Sequence, residues 1–205
     1  MKRFLVVCLL LLAPATIVFA NGAAPVIMVL GDSLSAGYGI DQNQGWVALL
    51  QRRLAKHGYP HDVVNASISG DTTAGGRFRL DNALAEHHPA IVIIELGGND
   101  GLRGLSLADM EANLAKIIEK SRTSGATLLL IGMRIPPNYG RDYTIGFENI
   151  YTRLAKKYNV PRVPFLLEGI ADNNALMQSD RIHPNGGAQG IVLDNVWPRL
   201  EPLLK

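Results

Sequence analysis

From residue 26 onward the chain alternates between two hydrophobic patterns. Short, nearly unbroken apolar runs rich in Val and Ile stand at 26–30, 63–64, 91–96 and 127–131, with a weaker one at 162–165. Runs of this kind suit parallel strands covered on both faces. Between them, apolar residues recur at steps of three and four. Trp46, Leu49, Leu50 and Leu54 mark a helix over 46–57, and Met110, Leu114, Ile117 and Ile118 mark another over 107–122. A last helix is predicted over about 187–200, with Ile191, Val192, Val196 and Trp197 on its inner side. About five strand–helix repeats imply an α/β sandwich with a parallel sheet and right-handed crossovers. No internal repeat, low-complexity tract or linker interrupts the pattern, so residues 21–205 read as one domain. Ligands of such sheets bind beyond the carboxyl ends of the strands, which is where chemistry should be sought.

The first twenty residues follow a different rule. Lys2 and Arg3 precede an apolar run from Phe4 to Leu12, and Val18-Phe19-Ala20 ends the segment on a small residue. This is the layout of a secretory signal peptide. Pro14 interrupts the run short of the roughly 20 apolar residues a membrane span needs, so cleavage after Ala20, export to the periplasm or beyond, and no membrane anchor are expected. Cys8 does not read as a lipoprotein cysteine, because Val6 and Val7 before it are not small. Loss of the leader removes the only cysteine and leaves 18 basic against 18 acidic residues, so the net charge of +2 belongs to the leader. The mature chain then has neither a disulfide nor a thiolate nucleophile. Its scattered, balanced charges offer no footprint for nucleic acid, and a monomer is expected.

No cofactor or metal is expected either. The glycine pairs at 75–76 and 186–187 and Gly37-Tyr38-Gly39 complete no nucleotide-binding fingerprint. His57, His61, His87 and His88 have no carboxylate spacing that would make them metal ligands, and read as solvated surface.

The loops after the runs are more informative. Gly31-Asp32-Ser33-Leu34-Ser35 follows the first run and places a small hydroxyl at a strand-to-helix turn, as a nucleophilic serine requires. Ala66-Ser67-Ile68-Ser69-Gly70-Asp71 follows the second, with a glycine that lets a ligand approach the backbone. Gly97-Gly98-Asn99-Asp100-Gly101 follows the third, with a side-chain amide donor at Asn99. Near the end stands Asp180-Arg181-Ile182-His183-Pro184, where the proline holds His183 extended. Asp180, three residues back, can accept the Nδ1 proton and leave Nε2 to take the proton of Ser33. Asp32 and Asp100 are read as carboxylates that hydrogen-bond loop amides and hold the turns in place. Taken singly, each motif is also an ordinary turn or helix cap. In this order, on one edge of one sheet, they form a constellation for acyl transfer.

With these four blocks the chain resembles the SGNH branch of the GDSL hydrolases, a family named for the serine, glycine, asparagine and histidine that match Ser33, Gly70, Asn99 and His183. The stretches Gly97 to Gly104, Pro137-Asn138-Tyr139-Gly140 and Asp180 to Pro184 are similar to the group of periplasmic thioesterases, lysophospholipases and arylesterases. The resemblance covers essentially the whole mature chain. It implies a three-layer flavodoxin-like fold with about five parallel strands, and activity on esters, thioesters and lysophospholipids without a cofactor. It also implies a triad of Ser33, His183 and Asp180 and an oxyanion hole made by the Ser33 amide, the Gly70 amide and the Asn99 side chain. Ile135, Pro136, Pro137 and Tyr139, after the fourth run, are expected to form an apolar wall against the acyl chain. The α/β-hydrolase elbow, Gly-x-Ser-x-Gly, is not met, since position 35 is serine. A carbohydrate O-acetyl esterase, a weak peptidase, and a non-catalytic periplasmic binding protein on the same scaffold stay open as rivals.

Overall fold

The computed structural model describes residues 23–204, so the leader expected at 1–20 lies outside the described residues. Five strands, β1 (Val26–Gly31), β2 (Asp62–Asn65), β3 (Ile91–Glu95), β4 (Thr127–Ile131) and β5 (Arg162–Val163), form one parallel sheet. Its order is β2-β1-β3-β4-β5. The inner strands are buried on both faces, β3 along its full length, which accounts for their unbroken apolar sequence. The fifth run ends at Val163, not Phe165, because Pro164 has no N–H to give to a ladder.

The helices among the described residues are α1 (Ser33–Ala36), α2 (Trp46–Lys56), α3 (Thr73–His87), α4 (Gly98–Leu102), α5 (Leu107–Thr123), α6 (Arg141–Tyr158) and α7 (Gln189–Leu200), with short 3₁₀ turns between some of them. The chain passes from β1 through α2 to β2, then returns through α3 to β3 on the other side of β1. Right-handed crossovers therefore put α2 and α3 on opposite faces. Helix α7 packs on α2, while α5 packs between α3 and α6, giving three layers. Trp46, Leu50 and Leu54 of α2 and Val192, Val196 and Leu200 of α7 are fully or almost fully buried. Ile191 faces outward, against the expectation for that helix.

Helix α3 shows why its sequence carries no clear stripe. Only Thr73, Gly76, Leu80 and Leu84 are buried, and a Cβ at Gly76 would lie 2.3 Å from Leu96 Cδ1. The helix is held by Leu80 and Leu84, by close backbone approach at Gly76 and by its Thr72 cap, which accepts from the Gly75 amide. His61 departs from its expected solvated setting. It is buried, and burial pushes its imidazole below the ordinary value. Among the described residues no helix is long and apolar enough to cross a membrane.

Candidate active site

Strand β1 lies between β2 and β3, so the connections leaving it and returning past it diverge and open a crevice at the carboxyl ends. Ser33, the first residue of α1, stands at that crevice. Asp32 caps the helix, its Oδ1 accepting from the Leu34 amide at 3.1 Å. His183 approaches from the loop before α7. Its Nε2 lies 2.8 Å from Ser33 Oγ, and its Nδ1 lies 2.7 Å from Asp180 Oδ2. The other oxygen of Asp180 accepts from the amides of Ile182 (2.9 Å) and His183 (3.1 Å), so one carboxylate shapes the turn and orients the ring. Partial burial pushes the Asp180 carboxyl up, but the hydrogen bonds from the His183 ring and these two amides prevail and hold it at about 2. The Tyr38 ring covers the imidazole at a centroid distance of 4.6 Å. Gln178 Nε2 donates to Tyr38 O and to Pro184 O, tying the His183 loop to the nucleophile side.

Ser33, Gly70 and Asn99 line one cavity, and each carries an N–H donor. Ser33 N–H, at the first position of α1, has no acceptor within the helix. Gly70 sits in the turn Ile68–Asp71, closed by Asp71 N–H to Ile68 O at 3.1 Å. With φ +81° at Gly70 and no positive φ at Ser69, the turn is type II. Its central peptide N–H, that of Gly70, takes no part in the turn's own bond and has no acceptor among the described residues. Asn99 Nδ2 donates to Asp71 O at 2.9 Å and, in a longer bond of 3.2 Å, to Asp32 Oδ2. The first bond fixes the amide plane, and the longer one leaves a hydrogen that an oxyanion can share.

The donor loops are held by side chains from elsewhere in the chain. Asp100 accepts from Thr73 N (2.9 Å) and Thr73 Oγ1 (2.6 Å), and Arg103 Nη2 donates to Gly70 O at 2.8 Å. With Asn99, three side chains on or just after α4 thus grip residues 70–73. Arg79 of α3 donates to Asp71 Oδ2 (2.7 Å), to Gly31 O (3.2 Å) and to Ala66 O, joining the ends of β1 and β2. Asp32 and Asp100 do hold turns, as expected, but Asp32 also orients Asn99. Burial pushes Asp32 up to about 6, against hydrogen bonds from Leu34 and Asn99 that favour the charged form. Nothing in the sequence pattern singles out Arg79 or Arg103, whose partners, apart from the Asp71 carboxylate, are backbone carbonyls far along the chain.

A cavity of about 720 Å³ opens beside Ser33. Leu34, Leu102, Met133, Ile135, Pro136, Pro137, Phe165, Leu167 and Met177 line it, with Ser69, Gly70, Asn99, Arg181 and His183 at the polar edge. Tyr139 does not line it, contrary to expectation. The Tyr139 hydroxyl donates to Leu102 O and its ring stacks on Tyr143. Met133, two residues past β4, and Phe165 and Leu167, just after β5, were not among the expected lining residues. Among the described residues no cluster of side chains could hold a metal ion.

The chain is similar to known proteins over most of its length. Residues 29–189 match the model of the GDSL-like Lipase/Acylhydrolase family. The chain is 53% identical over 184 residues to Esterase TesA of Pseudomonas aeruginosa, covering 90% of this chain and 92% of that one. It is 43% identical over 186 residues to Thioesterase 1/protease 1/lysophospholipase L1 of Escherichia coli K12, covering 91% and 88%. Among solved structures it resembles the psychrotrophic esterase EstA from Pseudoalteromonas sp., inhibited by monoethylphosphonate, with a TM-score of 0.84 and 40% identity over 87% of this chain and 98% of that one.

Proposed function

The chain belongs to the GDSL-like lipase/acylhydrolase family, and from that premise we propose that it hydrolyses carboxylic esters and acyl thioesters, lysophospholipids included, through an acyl-enzyme on Ser33. The observation that carries the reading is the unbroken hydrogen-bonded series Ser33–His183–Asp180 at the edge of an apolar cavity. His183 Nε2 takes the Ser33 proton as Oγ attacks the acyl carbon, while Asp180 holds the proton on Nδ1 and offsets the charge that forms on the ring. The amides of Ser33 and Gly70 and the Asn99 side chain receive the developing oxyanion. His183 then returns the proton to the leaving group, and water repeats the sequence to free the acid and restore Ser33.

The cavity wall favours an acyl chain over an acetylated sugar, because Met133, Ile135, Pro136, Phe165 and Leu167 offer no hydrogen-bonding side-chain groups. The leader supports export, with cleavage near Ala20, and the N-terminal sequence of the mature protein tests it. All proposed site residues come from one chain, so a monomer suffices, and light scattering of the purified protein tests that. Ser33→Ala is expected to lower kcat on p-nitrophenyl butyrate by roughly 10⁴-fold or more, with the melting temperature retained. Hydrolysis by this variant at the wild-type rate would overturn the reading, as would wild-type protein that no fluorophosphonate labels.

A further inference from the structure

Glu95 has no part in the steps above, yet it lies directly beneath them. It ends β3, pairs with Gly31 in the sheet register, and is fully buried. Its Oε2 accepts from the Ser35 hydroxyl at 2.6 Å and from the Asp32 amide at 3.3 Å, the residues that bracket Ser33 and Leu34. Its Oε1 has no hydrogen-bond partner among the described residues. A buried carboxyl with an unpaired oxygen costs stability, yet it stands in a strand otherwise made of Ile and Val. Gly31 fits the same design. A Cβ there would lie 2.8 Å from Glu95 Oε2 and 2.9 Å from Ser35 Cβ, so the carboxyl fills the space a side chain at 31 would need.

We propose that Glu95 is a positioning residue for the nucleophile: one of its oxygens clamps the first turn of α1 on both sides of Ser33 and so sets the direction of Ser33 Oγ toward His183. The clamp requires an acceptor and not a charge. Burial, reinforced by the Asp32 carboxylate nearby, pushes Glu95 well above the usual carboxylate range, and a glutamine carbonyl in the same place offers the same acceptor.

The inference rests on Ser33 as nucleophile, and the experiment separates the two. Wild type, Ser33→Ala, Ser35→Ala, Glu95→Gln and Glu95→Val are compared on p-nitrophenyl butyrate, with active sites counted by fluorophosphonate labelling and folding followed by melting temperature. Ser35→Ala, which removes one donor and leaves the carboxyl in place, is expected to lose about tenfold in kcat per labelled site, with KM within about twofold and little change in melting. Glu95→Gln is expected to keep kcat within about threefold and to leave the pH–rate profile unmoved, because the acceptor survives. Glu95→Val is expected to lose more than Ser35→Ala. Wild-type kcat in Ser35→Ala overturns the proposal, as does a loss in Glu95→Gln as large as that in Glu95→Val. If the valine variant does not fold, the other two decide. An active Ser33→Ala would instead overturn the nucleophile assignment itself.

Discussion

The two flanks of the Ser33 hydroxyl are built by opposite means. On the base side, Asp180 makes the turn, orients the ring and balances its charge through contacts two or three residues away. On the donor side, Gly70 and Asn99 are set by bonds that span 27 to 67 residues and arise from Asp32, Thr73, Asp100 and Arg103. A ring that must accept and return a proton needs one well-placed partner. Donors that must already point at a charge not yet formed need a rigid surround. The base side therefore rests chiefly on one carboxylate, with Tyr38 and Gln178 around it, and the donor side distributes its support.

The sharpest way to break the concentrated side is Asp180→Asn, which keeps an acceptor for the turn but presents the wrong proton arrangement to Nδ1. Steady-state kinetics on p-nitrophenyl butyrate should show kcat down by roughly 10³–10⁴-fold, with little change in KM. On the distributed side Asn99→Ala should cost about 10²–10³-fold in kcat, since the amides of Ser33 and Gly70 remain. Losses of equal size at the two positions would dissolve the contrast. Gly70→Ala comes next. A Cβ there has room, its nearest neighbour being Arg103 Nη2 at 3.7 Å, but positive φ is unfavourable to alanine and favours the type I alternative, in which the central N–H points away. A fall of roughly tenfold in kcat is expected.

The smallest effect is one of pH on stability, with opposite signs on the two flanks. Asp32, raised to about 6, binds a proton in the folded state before it does in the unfolded chain, so its contribution to stability grows as pH falls through about 6 to 4. Glu95, also raised by burial, adds to the same trend. Asp180, held at about 2, does the reverse: its stabilisation is present above about pH 4 and is lost as pH falls toward 2. A scan of melting temperature against pH should rise and then fall on acidification. Asp32→Asn should flatten the upper limb and Asp180→Asn the lower.

The same contrast governs what could be read without coordinates. The alternation of Val/Ile runs with stripes such as Met110, Leu114, Ile117 and Ile118 reports burial directly, so the parallel sheet and its two longest-striped helices were legible. Asp180 and His183 were legible because their contact is local. Ser33, Gly70 and Asn99 could be placed together only because each follows a strand of the same sheet. Arg79, Arg103 and Glu95 could not be assigned, because their partners are backbone groups or side chains that only the folded chain brings near. Glu95 did leave a trace, a lone acid in an otherwise apolar strand. His61 misled for the opposite reason: a polar letter next to a proline, buried all the same.

Position 70 has one more consequence. Space does not explain its glycine, since a methyl group would fit. What glycine supplies is an α-carbon without handedness, at a place where the backbone must turn as a D-residue would. The donor turn thus has a stereochemical requirement at one α-carbon. A semisynthetic chain carrying D-alanine there should keep the donor that L-alanine loses.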